Sequence, residues 1–412
     1  MPWWPGRFLR LAGNRRLPER QQSEEAAKAG GNASRDSRRP PRGSTVIVLG
    51  AYAPSLVLFR GKLIEALSAR GYHVVAIAAS IPQDIAERLS RVGARAVSVP
   101  IANQSLNPFS SFATVVALAR HFRRLRPAAI IAYTAKPVTL GGIAARLVPD
   151  VRFVPMITGL GYAFIEGGGV RRRFARRVAA FLYWFALRRS QAIVFQNPDD
   201  RDFFRAQRLL PRNIEPILVG GSGVDLEHFR PAPFPRGMSF LMISRLLGDK
   251  GVREYLAASV RLKRRHPDVA FRLVGFFDQS PDALTRAEVD AAVREGLEFL
   301  GRRDDVRPDI AESSVYVLPS YHEGTPRSVL EAMAMGRPIV TTDAPGCRQT
   351  VEDGVSGLLV APRDAYSLEA AMERLIREPG QLVQMGLRSR AIAEQKFDVH
   401  KVNDLILEAA GL

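Results

Sequence analysis

The chain has a single cysteine, Cys347, which excludes an intrachain disulfide and fits a reducing compartment. No histidine lies near it in the sequence, so Cys347 reads as a small buried filler rather than a nucleophile. No apolar run approaches the about 18 residues needed to span a bilayer. Near the N-terminus, Phe8-Leu-Arg-Leu11 is too short for a signal-peptide core, and the Arg15-Arg16 pair lacks the hydrophobic segment of an export signal. These absences predict a cytoplasmic protein. There is no internal repeat. No RNA- or DNA-binding motif appears, and the arginines cluster in helical stretches rather than interleaving with a strand platform. That argues against a nucleic-acid partner despite the charge.

Acidic residues are scarce, 41 against 59 Lys and Arg, giving a formal charge of +18. Residues 1–44 hold ten basic and four acidic side chains, which leaves +12 on the remainder. Such an excess attracts anionic surfaces or phosphorylated substrates. The same 44 residues are dominated by Gly, Pro, Ser and Arg and read as a disordered basic extension ending in an Arg38-Arg-Pro-Pro-Arg-Gly43 linker. Met1-Pro-Trp-Trp4, Phe8 and Leu9 could touch a membrane interface, but an unstructured tail is the simpler reading.

A length of 412 residues exceeds one ordinary core and fits two domains. Buried-strand patterns recur at 45–50, 73–79, 94–99, 128–133, 153–157 and 192–196, with a helix expected over 57–70. They resume at 239–243, 271–274, 297–300, 315–318, 339–342 and 357–360. Strand alternating with helix is the mark of a parallel sheet covered on both faces. The fold class is therefore α/β, with two Rossmann-like halves meeting in the Pro/Gly-rich stretch 211–229. The spacing predicts closing helices over 381–394 and 399–410.

Glu323-Gly-Thr-Pro-Arg-Ser-Val-Leu-Glu331 sets two carboxylates eight residues apart across a loop-to-helix junction. Thr325 is expected as the N-cap, with Pro326 in the first helical position. The helix should run Arg327 to Met335 and stop at Gly336-Arg-Pro338. Its N-terminus suits a sugar phosphate, and carboxylates grip sugar and ribose hydroxyls through charge-assisted hydrogen bonds. Ser244-Arg-Leu-Leu-Gly-Asp-Lys-Gly251 follows a strand, placing Arg245 and Lys250 at its carboxyl end, where open α/β sheets bind ligands.

The stretch 318–340, continued through Asp343-Ala-Pro-Gly-Cys-Arg348 and Glu352-Asp-Gly-Val-Ser-Gly-Leu358, resembles the donor-binding signature of the retaining GT-B glycosyltransferases of family 4. That resemblance implies two Rossmann-like domains facing a central cleft: 45–215 for the acceptor, 216–395 for the nucleotide-sugar donor, and 396–412 as a helix crossing back. It implies catalytic roles for Arg245 and Lys250, against the donor diphosphate, and for Glu323, facing the donor sugar. Donor contacts are implied for Gly324, Thr325, Pro326 and Arg327, with Glu331 on the ribose. The scheme needs no metal and no cofactor, and no carboxylate nucleophile. Many relatives carry histidine where this chain has Thr158, before Gly159-Leu-Gly161, and threonine cannot serve as a base near neutral pH. As a dinucleotide motif that glycine pair lacks its third member.

Phe59-Arg-Gly-Lys-Leu-Ile-Glu-Ala-Leu67 and Tyr133-Thr-Ala-Lys-Pro137 resemble a narrower subgroup that builds capsule, O-antigen and other lipid-linked glycans. Arg60 and Lys136 then become cleft-side cations for a diphosphate-bearing acceptor, with surface charge as the plain alternative. The subgroup implies a UDP-linked donor. Asn197-Pro-Asp-Asp-Arg-Asp202 invites a metal, yet capping of the helix it opens explains it more cheaply. Phe174, Val178, Phe181 and Phe185 recur at helical spacing, so part of that stripe is expected in the core. Arg171, Arg172, Arg173 and Trp184, with Tyr183, are then the candidates for contact with anionic lipid at an inner membrane surface, making the protein peripheral there. Two competing functions are a sugar-nucleotide isomerase or phosphorylase on the same fold and a nucleic-acid binder.

Overall fold

The computed structural model describes residues 39–101, 108–160 and 170–412. The basic extension, apart from its last six residues, lies outside this range. So do Gly161 and the side chains of Arg171 and Arg172.

Two all-parallel sheets organise the chain. Strands β1 (Thr45–Tyr52), β2 (His73–Ala79), β3 (Ala94–Ser98), β4 (Ala129–Tyr133), β5 (Arg152–Ile157), β6 (Val194–Phe195) and β7 (Ile217–Leu218) form the first. Their order is β3-β2-β1-β4-β5-β6-β7. The second holds β8 (Ser239–Arg245), β9 (Ala270–Phe276), β10 (Glu298–Gly301), β11 (Val315–Leu318), β12 (Ile339–Thr342) and β13 (Gly357–Val360), in the order β10-β9-β8-β11-β12-β13. Each sheet reverses direction of growth beside its first strand, at β1/β4 and at β8/β11. Such switch points open a crevice at the strands' carboxyl ends. The first sheet reaches Leu218, beyond the expected division at 215/216, because the short β7 pairs with β6.

The strands are apolar on both sides because both faces are covered. In β1, Val46 and Val48 face one core and Ile47 and Leu49 the other. The first core also takes Val402, Ile406 and Leu407 of the last helix, Val399–Ala409, which lies against the Gly61–Ala69 helix of the first half. Arg70 seals that contact on Asp404 at 2.7 Å. Instead of one helix over 57–70 there are two, Ala53–Leu58 and Gly61–Ala69, broken at Phe59-Arg60. The break falls at a residue, Arg60, whose side chain is buried.

Among the described residues, no helix is long and apolar enough to cross a membrane. The Val170–Leu187 helix inverts its expected orientation. Tyr183 is 2% exposed and lies in the core, with Trp184 partly covered, while Phe174 and Phe181 are 69% and 60% exposed and Val178 is also exposed. Four apolar residues at helical spacing do not say which of two apolar faces meets the sheet. The ring of Tyr183, edge-on to Phe204, took that place.

Candidate functional site

At the β8 end, Leu247 leads into a 3₁₀ turn, Gly248–Lys250, closed by Gly251 in a left-handed conformation (φ 71°). A side chain on Gly251 would strike the Pro319 carbonyl, so glycine lets the β8 and β11 loops touch. This contact brings Lys250 to Glu323: Nζ lies 2.7 Å from Oε1, and each side chain is 17% exposed. Ser320 Oγ donates to the same oxygen at 2.9 Å. Burial lowers the affinity of Lys250 for its proton, but Glu323 and Asp249 outweigh it, and the ammonium is held above its ordinary value.

Arg245 lies near enough that its charge acts on Lys250 and Asp249. Its guanidinium is half-exposed and pairs with Asp278 at 3.2 Å. Glu331 is buried and receives Arg327 Nε at 2.8 Å. Burial still pushes its carboxyl above the usual range, against the pull of Arg327. Glu323 and Glu331 both act on the buried Tyr316 hydroxyl, so the two carboxylates flank one β11-side wall. The structure therefore brings Arg245, Lys250, Glu323 and Glu331 around the second sheet's switch point.

The helix after β11 begins at Arg327 as expected and ends one residue early, but its cap lies one residue later than expected. Pro326 is the N-cap, in extended conformation, and Arg327–Ala334 is helical. Thr325 does not cap; its hydroxyl donates to the Gln196 carbonyl at 3.0 Å, in the other half of the chain. Gly324 lies hard against the Thr158 carbonyl, where any side chain would collide, and its own carbonyl receives Asn197 Nδ2 at 2.7 Å. Val329 N donates to the Pro326 carbonyl at 3.1 Å, which leaves the N–H groups of Arg327 and Ser328 without a partner inside the helix.

The acidic run after β6 does cap its helix, Asn197 Oδ1 accepting from Asp200 N at 2.7 Å. Its carboxylates have a second task that the sequence did not reveal. His322 Nε2 lies 3.0 Å from the fully buried Asp200 without the alignment of a hydrogen bond, while Asp199 accepts from Arg348 and Gln349. These contacts lace the two halves together beside Glu323. Nothing local marks them, because each partner is more than a hundred residues away. Cys347 is buried, and its thiol is pushed up to about 12, first by burial.

On the opposite wall, Thr158 and Gly159 follow β5 and abut Gly324. Lys136, after β4, is partly buried, which lowers its proton affinity. Arg60 is not a surface charge: it is 2% exposed, stacked 4.9 Å from the Tyr133 ring centre, and burial pulls it down to about 10.

Residues 59–220 match the family described as glycosyl transferase 4-like domain, and 237–378 match glycosyl transferases group 1. Over 79% of its length the chain is 28% identical to the N,N'-diacetylbacillosaminyl-diphospho-undecaprenol alpha-1,3-N-acetylgalactosaminyltransferase of Campylobacter jejuni, covering 87% of that protein. It is 26% identical over 68% of its length, and 74% of the relative's, to the UDP-Gal:alpha-D-GlcNAc-diphosphoundecaprenol alpha-1,3-galactosyltransferase of Escherichia coli. Among solved structures it resembles sucrose-phosphate synthase from Thermosynechococcus elongatus (TM-score 0.73, 19% identity, 88% of this chain and 98% of that one). It also resembles Anabaena HepE in complex with UDP and glucose (TM-score 0.71, 20% identity, 89% and 98%). These two likenesses establish the GT-B architecture.

Proposed function

The chain belongs to the glycosyltransferases, its first half to the 4-like family and its second to group 1; from that premise we propose that it moves a hexose or N-acetylhexosamine, with retention, from a UDP-linked sugar to a polyprenyl-diphosphate-linked glycan of a surface polysaccharide. The observation carrying this reading is the Lys250–Glu323 pair at the β8/β11 switch point, with Arg245 beside it. Lys250 and Arg245 neutralise the charge that grows on the departing nucleotide as the anomeric bond breaks. Glu323 orients the donor sugar while holding Lys250 in place. Glu331 accepts the ribose hydroxyls, and the first-turn N–H groups after Pro326 meet the donor's oxygens. Residues 45 to about 215 then take the acceptor and 216–395 the donor.

The two relatives named above act, by their names, on diphospho-undecaprenol-linked sugars, which supports the acceptor class. A lipid-borne acceptor calls for a protein that works at the membrane surface. Arg173 and Arg177 beside exposed Phe174, Val178 and Phe181 suit an anionic leaflet at the cytoplasmic face. Nucleotide sugars screened for thermal stabilisation, followed by transfer to a prenyl-diphosphate-linked saccharide, test the reading. Stabilisation by one UDP-sugar and retention in the product are expected. No stabilisation by any nucleotide sugar would overturn it.

A further inference from the structure

Arg60 is a fully buried charge of the first half that the described residues leave unanswered. It is 98% buried, yet no carboxylate among the described residues reaches it. Its Nε has no hydrogen-bond partner, and Nη1 only approaches the Phe59 carbonyl at 3.5 Å. An uncompensated buried charge costs several kcal/mol, on the order of what a single missing partner does to a core. Folding nevertheless holds it firmly. The Tyr133 ring lies beneath the guanidinium, and its hydroxyl is fixed 2.8 Å from Ser55 Oγ.

Location explains what Arg60 awaits. It follows β1 and Tyr133 ends β4, so both stand at the first sheet's own switch point. From the other half, Arg327 reaches across with its guanidinium 5.3 Å from the ring centre of Phe59, the residue adjoining Arg60. Arg327 spends Nε on Glu331, and among the described residues no hydrogen bond or ion pair engages its terminal nitrogens. Its charge is close enough to oppose that of Arg60. Two like charges brought together by folding mark a place for a dianion.

We propose that Arg60 and Arg327 form a two-sided clamp for the acceptor's diphosphate, and that the Arg327–Glu331 bond makes this clamp tighten when a nucleotide fills the donor pocket. The inference rests on Glu331 taking the donor ribose. Ribose bound to Glu331 fixes that carboxylate, which fixes Arg327 Nε and aims its terminal nitrogens at Arg60. Donor occupancy thus sets acceptor affinity, and by linkage acceptor occupancy sets donor affinity equally.

Geranyl diphosphate is the probe, titrated by calorimetry with and without saturating UDP. UDP blocks the Arg245/Lys250 site, so remaining binding reports the second one. Wild-type protein should bind the probe about fivefold or more tighter with UDP present. Arg60→Met, which preserves volume, should weaken probe binding on the order of tenfold to a hundredfold while UDP affinity is unchanged. Arg327→Lys should retain probe binding but lose the UDP dependence. Should Arg60→Met fail to fold, Arg60→Lys reads the same loss in weaker form. Equal probe binding by wild type and an Arg60 variant overturns the clamp, as does a fall in UDP affinity in Arg60→Met, which would give Arg60 to the donor instead. Absence of UDP binding in the wild type would instead strike the donor reading on which the clamp depends.

Discussion

Replacing Lys250 separates what the Lys250–Glu323 pair does for folding from what it does for transfer. At 2.7 Å and an effective dielectric near 20 the gross attraction is about 6 kcal/mol, most of which desolvation cancels. Lys250→Ala leaves the Glu323 carboxylate nearly buried with only the Ser320 hydroxyl for company. That should cost about 1 to 3 kcal/mol of stability, seen as a fall in melting temperature of several degrees. On the proposed role of Lys250, transfer loses a cation at the departing diphosphate, and kcat should drop about 10²- to 10³-fold. The double variant Lys250→Ala/Glu323→Gln removes the orphaned charge, so its melting temperature should recover above that of Lys250→Ala while activity does not. Radiolabelled sugar transfer and calorimetric melting, run on wild type and both variants, measure both. The reasoning fails if Lys250→Ala keeps activity within tenfold of wild type, or if the double variant melts no higher than the single one.

The Glu331 carboxyl is held above its ordinary value by burial, so the folded state binds more protons than the unfolded one. Its ionised form therefore weakens the fold at neutral pH, and the penalty is relieved as pH falls through the raised value. Glu331→Gln should melt at or above the wild-type temperature at pH 7, with the gap shrinking in acid, while UDP binds on the order of tenfold more weakly; a lower melting temperature at pH 7 would contradict this. Phe174→Ser with Phe181→Ser should release the protein from vesicles containing phosphatidylglycerol without altering its melting curve, and undiminished sedimentation with those vesicles would remove this face from the membrane. Cys347, buried with its thiol near 12, should ignore an aromatic disulfide reagent at pH 8 until denaturant is added. Prompt reaction of the native protein would place it at the surface.

The parallel sheets were legible because both-face burial writes each strand as an unbroken apolar run, as in Val46-Ile-Val-Leu49. The loop after β11 was legible for another reason. Strand, loop and helix are contiguous in sequence there, so Glu323 and Glu331 travel with their own scaffold. The pairing of Lys250 with Glu323 crosses 73 residues and could be anticipated only through the resemblance. What escaped was decided by tertiary contact. Thr325 has the chemistry of a cap, yet a carbonyl from the other half competed for its hydroxyl and won. Arg60 reads from sequence as a cleft-side cation or a plain surface charge, and its burial escaped because nothing local announces that Tyr133, 73 positions on, will lie beneath it. Periodicity found an apolar stripe on the Val170–Leu187 helix but could not orient it, since Tyr183 offered the sheet an equally good surface.

The chain passes between its halves twice, and the two passages lie side by side, Val224 pairing with Asp398 at the crossing. Two adjacent backbone straps constrain the halves more than one would. Rotation about the line of the crossing would cost the backbone least, whereas sliding or twisting would pull one strap taut before the other. The return path of a single helix thereby ties the two lips of the cleft to one register.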